Sequence, residues 1–276
     1  MIKSLPNLYS FLKLSEAQLT AIIENLDYFY TFRRQPKIKY GEFQKDNIGE
    51  IRYRELLIPG YILKSKQKII AEFLSKIDLP DYMFGSVIRK NNILNAQQHL
   101  NHNYFFTVDL KKFFQNISHH QVYNMFIVIG FSPAVSRILT KLTTYRSCLP
   151  QGAPSSPVIG NLILKNTSDK LFNLAKTNNI TFTTFLDDLS FSSKDCFKKL
   201  IAEIIDIIKQ GGFYPSYNKI HYRKAYCEIT GLFIKGNILE LPYKMAKRAQ
   251  RNVFLQQYQR RVQEYNIAMG MRALKS

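Results

Sequence analysis

The sequence predicts an α+β fold in which an antiparallel hairpin sits between long helical stretches. Runs rich in β-branched and aromatic residues, FFTVDL at 105–110 and TFTTFLDDLSFS at 181–192, interrupt segments of helical periodicity. In the second run Phe182, Thr184 and Leu186 share one face of a strand. Leu189 and Phe191 resume the alternation, which puts Asp187 and Asp188 at a hairpin tip. With 276 residues and 46% hydrophobic content, the chain can bury one large core or two modest ones.

The elements follow in order. Ser15 is a candidate N-cap for a helix over 15–30, carrying Leu19, Ile22, Ile23, Leu26 and Phe29 or Tyr30 at helical spacing. Residues 50–58 read as extended and stop at the turn signal Pro59-Gly60. A helix is expected over 62–77, with Ile62, Ile69, Ile70, Phe73 and Leu74 facing inward. Two more are expected at 119–129 and 133–145, divided by Gly130-Phe131-Ser132. LPQGAPSSP at 149–157 cannot be a regular element, because prolines and a glycine break it. Helices over 158–175 and 197–210 follow, the second ended by Gly211-Gly212. Beyond Lys235 the chain turns basic, with Lys244, Lys247, Arg248 and Arg251 on one helical stripe and Phe254, Tyr258, Val262 and Tyr265 on an apolar one. That basic stripe reads either as a solvated face or as a helix lying along phosphates.

Charge narrows the function. Against 20 Asp and Glu stand 39 Lys and Arg, a net charge of +19 that points to a polyanionic partner, nucleic acid above all. A generic basic surface or affinity for anionic membranes is the alternative. No stretch reaches the roughly 18 apolar residues of a membrane helix, and the N-terminal residues lack a secretory pattern. Cys148, Cys196 and Cys227 lie far apart with no CxxC pair, which fits a reducing cytoplasm and argues against a disulfide framework or a zinc site. The chain shows no low-complexity tract and no internal repeat.

The acids carry the chemistry. Asp109 closes one apolar strand, and Asp187 and Asp188 cap a hairpin of apolar residues. Brought together without a partner, such carboxylates repel one another and lose hydration. Divalent cations relieve both penalties, because Mg²⁺ takes carboxylate oxygens together with substrate phosphates.

The arrangement resembles a known family. FLDD (185–188) is similar to the YADD box of reverse transcriptases, with Phe185 for Tyr and Leu186 for Ala. LPQGAPSSP resembles their LPQGxPxSP motif, and DLKKFF (109–114) resembles their first catalytic box. YRELLIP (53–59) resembles the fingers segment leading into a helix, with Gln67 placed as in the family, and GFYPSYNK (212–219) resembles the motif closing on a lysine. All five occur in the family's order. NAQQH (95–99) and ITGL (229–232) resemble the NAxxH and VTGL elements of bacterial retron enzymes, which makes the retron type the preferred subfamily.

This resemblance implies a right-hand polymerase with fingers (1–100), an antiparallel-sheet palm (101–235) and a short basic helical thumb (236–276). It implies an RNA-directed DNA polymerase that copies a structured noncoding RNA, serving as template and primer, into RNA-linked single-stranded DNA (msDNA). The setting would be antiphage defence with a separate effector protein, and no membrane. Asp109, Asp187 and Asp188 would be catalytic and hold two Mg²⁺ ions, with Mn²⁺ able to substitute. Arg54, Phe114, Gln151, Gly152 and Lys219 would bind the dNTP, with Phe114 as steric gate against a ribose 2′-hydroxyl. Asn95, His99, Thr230, Gly231, Lys244, Lys247, Arg248 and Arg251 would contact RNA, although His99 also admits a purely structural role.

The sequence departs from the family pattern at Leu186, bulkier than the usual Ala, and at Pro215 and Ser216 near Lys219. The segment beyond Leu232 is also short for a thumb. An abortive-infection polymerase making untemplated DNA, a group II intron enzyme, a non-catalytic RNA-binding scaffold and a palm-fold cyclase are the rival readings.

Overall fold

The computed structural model describes residues 1–273; residues 274–276, at the end of the expected thumb, lie outside the described residues. The chain begins with helices α1 (Leu5–Leu12) and α2 (Glu16–Glu24), then strands β1 (Tyr30–Pro36), β2 (Ile38–Lys39), β3 (Glu42–Phe43) and β4 (Tyr53–Pro59). Helices α3 (Tyr61–Leu74) and α4 (Asn92–Gln97) precede strand β5 (Tyr104–Asp109). Four helices follow: α5 (Phe113–Asn116), α6 (His119–Ile129), α7 (Pro133–Thr143) and α8 (Ser156–Thr177). Then come β6 (Thr181–Phe185), β7 (Asp188–Ser193), α9 (Ile201–Gln210), β8 (His221–Lys224), β9 (Tyr226–Ile229), β10 (Leu232–Lys235) and β11 (Ile238–Glu240). Helices α10 (Tyr243–Ala249) and α11 (Val253–Ala273) close the chain.

The residues divide into two compact units. The first comprises Met1–Lys37, Gln44–Leu79 and Lys112–Asn166; the second comprises Ile38–Phe43, Pro80–Lys111 and Thr167–Ser276.

In the first unit α1, α2, α3, α6 and α7 bury Leu8, Leu12, Leu19, Ile22, Leu63, Ile70, Leu74, Val122, Phe126 and Leu139. Gln67, fully buried on α3, donates through Nε2 to the Tyr30 hydroxyl at 2.8 Å and to the Leu142 carbonyl at 2.9 Å. That polar staple keeps an amide in an apolar core by satisfying its donors. Strands β1 and β4 pair antiparallel, from Tyr30 opposite Pro59 to Pro36 opposite Tyr53. The pairing corrects one expectation. Ser15 caps α2 with a full capping box to Gln18, but the helix stops at Glu24 instead of continuing to 30. Tyr30 is drawn into the ladder with β4, a tertiary demand that local spacing does not contain.

The second unit holds a four-stranded antiparallel sheet in the order β6-β7-β5-β8. A three-stranded sheet, β11-β10-β9, joins it through a shared core of Ile93, Ala96, Leu100, Phe105, Ile229, Leu232, Ile234, Leu239 and Val262. Tyr258 and Tyr265 of α11 pack on that core as the stripe predicts, whereas Phe254, at the start of the helix, is 83% exposed. The sequence reading did not resolve the sheet β9–β11. Its strands are three or four residues long, too short for alternation to be distinctive.

Candidate active site

Strand β5 delivers Asp109 to one end of the four-stranded sheet, and register places it opposite Asp188, the first residue of β7. Phe185 pairs with Asp188 across β6 and β7, so Leu186 and Asp187 form the whole turn. The Leu110 N–H donates to the Asp187 carbonyl at 2.8 Å, tying that turn to the end of β5. On the other side of β5, the Ser216 N–H donates to the Asp109 carbonyl at 2.7 Å. The three acids are thereby gathered by backbone pairing, and side-chain attraction is not needed to assemble them.

Asp109 is held at both oxygens. The Ser216 hydroxyl donates to Oδ1 at 2.7 Å, and Lys219 Nζ donates to Oδ2 at 2.6 Å. Crowding by surrounding protein, followed by the negative charges of Asp187 and Asp109, pushes the Asp188 carboxyl up to about 7 against the pull of Lys219. Asp188 nonetheless remains open to solvent as a residue, so the neighbouring charges are the firmer of the two causes.

The turn rests on a feature that the sequence reading did not identify. Leu186 adopts φ +56°, a conformation that disfavours any residue but glycine. Beneath it runs the segment Tyr82–Gly85, whose Phe84 N–H donates to the Thr184 carbonyl while the Thr184 N–H donates to the Tyr82 carbonyl, both at 2.8 Å. A Cβ on Gly85 would stand 2.5 Å from Leu186 N and 2.9 Å from Leu186 Cγ. Only glycine lets this segment approach so closely. A lone glycine between Phe84 and Ser86 carries no distinctive sequence signal.

The first unit gathers a separate set. Gln151 accepts from the Leu57 N–H at 2.8 Å through its carbonyl, fastening the 149–157 loop to β4, the strand that carries the exposed Arg54. Gly152 lies at φ +120°, where a Cβ would come within 3.0 Å of the Leu57 carbonyl. Phe114 is half-buried on α5 beside Phe113, with ring centroids 5.2 Å apart. Gly160 of α8 makes room for the pair, since its Cβ would lie 2.9 Å from Phe113.

Two expected RNA contacts need correction. Asn95 and His99 are fully buried and present no surface to RNA. Burial drives the His99 pKa down to about 3, leaving a neutral ring between Ser192 Oγ at 2.6 Å and Thr183 Oγ1 at 2.7 Å. Asn95 reaches Thr230 Oγ1 at 3.4 Å. The NAQQH motif thus fastens α4 to the sheets from inside. Thr230 and Gly231, at φ +46° and +84°, form the two-residue turn between β9 and β10 and stay partly accessible.

The basic stripe also differs from expectation. Helix α10 ends at Ala249, so Arg251 lies beyond it, although Lys244, Lys247, Arg248 and Arg251 are all exposed. Lys244 pairs with Glu42 at 2.6 Å, and the Arg248 guanidinium packs where a Gly41 side chain would otherwise sit. Lys39 pairs with Glu228 at 3.1 Å, completing a small clasp of the β2–β3 hairpin onto this unit.

Residues 43–234 match the family described as reverse transcriptase (RNA-dependent DNA polymerase), and the chain belongs to that family. Its type is that of the bacterial retrons. The retron Ec86 reverse transcriptase of Escherichia coli is 29% identical over 74% of this chain and 67% of its own length. The retron Se72 reverse transcriptase of Salmonella heidelberg is 28% identical over 96% of this chain and 72% of its own. Among solved structures, telomerase from Candida albicans in complex with a TWJ fragment of telomeric RNA superposes with a TM-score of 0.52 at 10% identity. That likeness covers 79% of this chain and 49% of the telomerase chain, and it concerns the fold alone. The fold class is accordingly the α+β right-hand fold of reverse transcriptases. Among the described residues no helix is long and apolar enough to cross a membrane.

Proposed function

We propose that this reverse transcriptase copies a structured noncoding RNA into RNA-linked single-stranded DNA, by attack of a primer hydroxyl on the α-phosphate of a dNTP. The observation that carries the reading is the gathering of Asp109, Asp187 and Asp188 at one end of the sheet, with Lys219 beside them. Among the described residues no three acidic, His or Cys side chains converge as a ready-made metal cage. Mg²⁺ fits this arrangement all the same, since it is bound by one or two carboxylates together with substrate phosphates and waters. The mutual repulsion that raises Asp188 is relieved by added positive charge. When bound, two such ions (Mg²⁺, with Mn²⁺ as substitute) would supply Lewis acidity toward the attacking hydroxyl and the departing pyrophosphate.

The chain's own groups have separate tasks in this reading. Ser216 and Lys219 fix the orientation of Asp109. Lys219, on an exposed ammonium arm, can exchange its carboxylate for a phosphate and neutralise the leaving group. Arg54 contributes a fork suited to bidentate phosphate contacts. Gln151 and Gly152 line the nucleotide's path, and the Phe114 ring rejects a 2′-hydroxyl. Residues 1–100, 101–235 and 236–276 serve as fingers, palm and thumb. Thr230, Gly231 and the exposed stripe of Lys244, Lys247, Arg248 and Arg251 meet RNA phosphates. Exposed ion pairs such as Lys244–Glu42 are worth about 0–1 kcal/mol, so phosphates can displace them. A separate effector protein in antiphage defence and a cytoplasmic setting complete the proposal.

Co-expression with the RNA encoded beside the gene, followed by sequencing of any attached DNA, tests it. A branched RNA–DNA product that disappears with Asp187→Ala and with Asp188→Ala is the expected result. DNA unrelated to the RNA sequence would overturn templated copying, and RNA retained without any DNA would overturn the catalytic reading.

A further inference from the structure

Strand β5 begins at Tyr104 and ends at Asp109, and a cavity of about 310 Å³ opens at the Tyr104 end, roughly 17 Å of strand away from the carboxylates. It is lined by Asn103, Tyr104, Lys194, Asp195, Cys196 and Lys224. None of these groups has a part in the polymerase chemistry above. Backbone pairing holds the rim: the Asn103 N–H donates to the Ser193 carbonyl at 3.0 Å, and the Ala225 N–H donates to the Asn103 carbonyl at 2.7 Å. Ala225, on the same wall, sits at φ +72°.

The lining combines an aromatic face with cations. The Tyr104 ring stacks on Tyr222 with centroids 6.3 Å apart, and Lys224 Nζ lies 5.7 Å from the Tyr104 centroid. Lys194 stands on the neighbouring strand end. Asn103 adds an amide, and Asp195 a carboxylate that can only accept hydrogen bonds.

We propose that this cavity holds one unpaired nucleotide of the bound RNA, away from the site of synthesis. Its base rests against Tyr104, its phosphate lies between Lys194 and Lys224, and Asn103 and Asp195 meet polar edges of the base or the 2′-hydroxyl. The volume falls at the small end of ligand pockets, which suits a single splayed nucleotide and excludes a duplex. An acidic peptide fits less well, because it offers no flat base to lie against the Tyr104 ring. The proposal rests on the RNA-binding part of the function above and adds a second anchor to it.

Cys196 supplies a reporter inside the cavity. Its thiol is exposed, and the hydrogen bond with Tyr222 lowers its pKa, which favours alkylation. Iodoacetamide labelling of Cys196, read by peptide mass spectrometry, is measured with a mixed-sequence single-stranded RNA, with blunt duplex RNA and with polyglutamate. Gel shift records total RNA binding in parallel. Single-stranded RNA is expected to slow labelling, and the other two polymers are not. The double variant Lys194→Glu, Lys224→Glu should restore labelling and weaken RNA binding about tenfold, while extension of a short annealed primer is unchanged. Saturating RNA that leaves Cys196 labelling unaltered would overturn the cavity and leave the polymerase reading standing. Absence of any RNA binding would remove both. Equal protection by polyglutamate would show a general anion surface and overturn nucleotide recognition.

Discussion

Two hairpins in the second unit turn in two residues each but by different backbone routes, with both turn residues at positive φ in one and only the first in the other. Between β9 and β10 the turn residues are Thr230 and Gly231, both at positive φ, as one of the two favoured two-residue turns between twisted strands requires. Nothing lies within 4 Å of a Cβ built on Gly231, so conformation alone makes this glycine useful. Between β6 and β7 the turn is Leu186 and Asp187, with leucine at φ +56° and a glycine, Gly85, pressed beneath it. Each turn opens on a side chain at positive φ, Thr230 in one and Leu186 in the other. The first follows it with a glycine that stands clear of its neighbours, and the turn connects strands. The second has no glycine of its own, rests on Gly85 from a distant segment and carries the candidate catalytic acids.

Asp187→Ala should separate the hairpins most sharply. Nucleotide incorporation should fall by on the order of 10³-fold, the scale on which preorganised charge contributes to a transition state. The melting temperature should stay level or rise, because a like charge leaves the cluster. Single-turnover kinetics and thermal melts of the same sample check both halves.

Gly85→Ala comes next. The new methyl group must push the turn away, and a displacement of that kind should reduce kcat about 10²-fold, with RNA affinity kept. Adding Leu186→Gly removes both the Cγ contact and the strained φ, and should return part of the lost rate. No recovery in the double variant would show that Gly85 acts through general packing instead of through the turn.

For contrast, Gly231→Ala should lower stability by about 1–2 kcal/mol, since alanine is strained at φ +84°. Chemical denaturation measures this, and kcat should not change. A large loss of kcat would erase the distinction between the two turns.

The smallest effect concerns pH. Asp188 has a folded-state pKa of about 7, above the ordinary carboxylate value. A raised pKa means the folded state holds the proton more tightly than the unfolded state. The stability it provides is complete below the unfolded pKa and is lost as pH rises through 7. Metal-free protein should therefore melt at a lower temperature at pH 8 than at pH 5.5, and Asp188→Asn should flatten that component. Mg²⁺ should reverse the trend by favouring the ionised form.

Much of this was legible in the sequence. Helix α6 begins and ends where the pattern placed it, because Ser118 caps it and Gly130 ends it in a left-handed conformation. The acids were visible as interruptions of apolar alternation, and the family motifs ordered them along the chain. Hidden from that reading were contacts between distant segments. Asn95 and His99 were legible as a motif, but their enclosure depends on Thr183, Ser192 and Thr230, which lie far along the chain. The entry of Tyr30 into a strand depends on β1 pairing with β4, and a 3₁₀ turn at Leu26–Phe29 separates it from α2.

The sequence by itself determined the reverse-transcriptase family, the α+β class and which acids to propose as catalytic, since those follow from local pattern and motif order. The tertiary structure alone decided that Asp109 stands opposite Asp188, that Ser216 and Lys219 grip the same carboxylate, and that Gly85 underlies the turn. The physical reason is that sheet register and close backbone approach arise from the simultaneous packing of distant segments, which no short stretch of residues encodes.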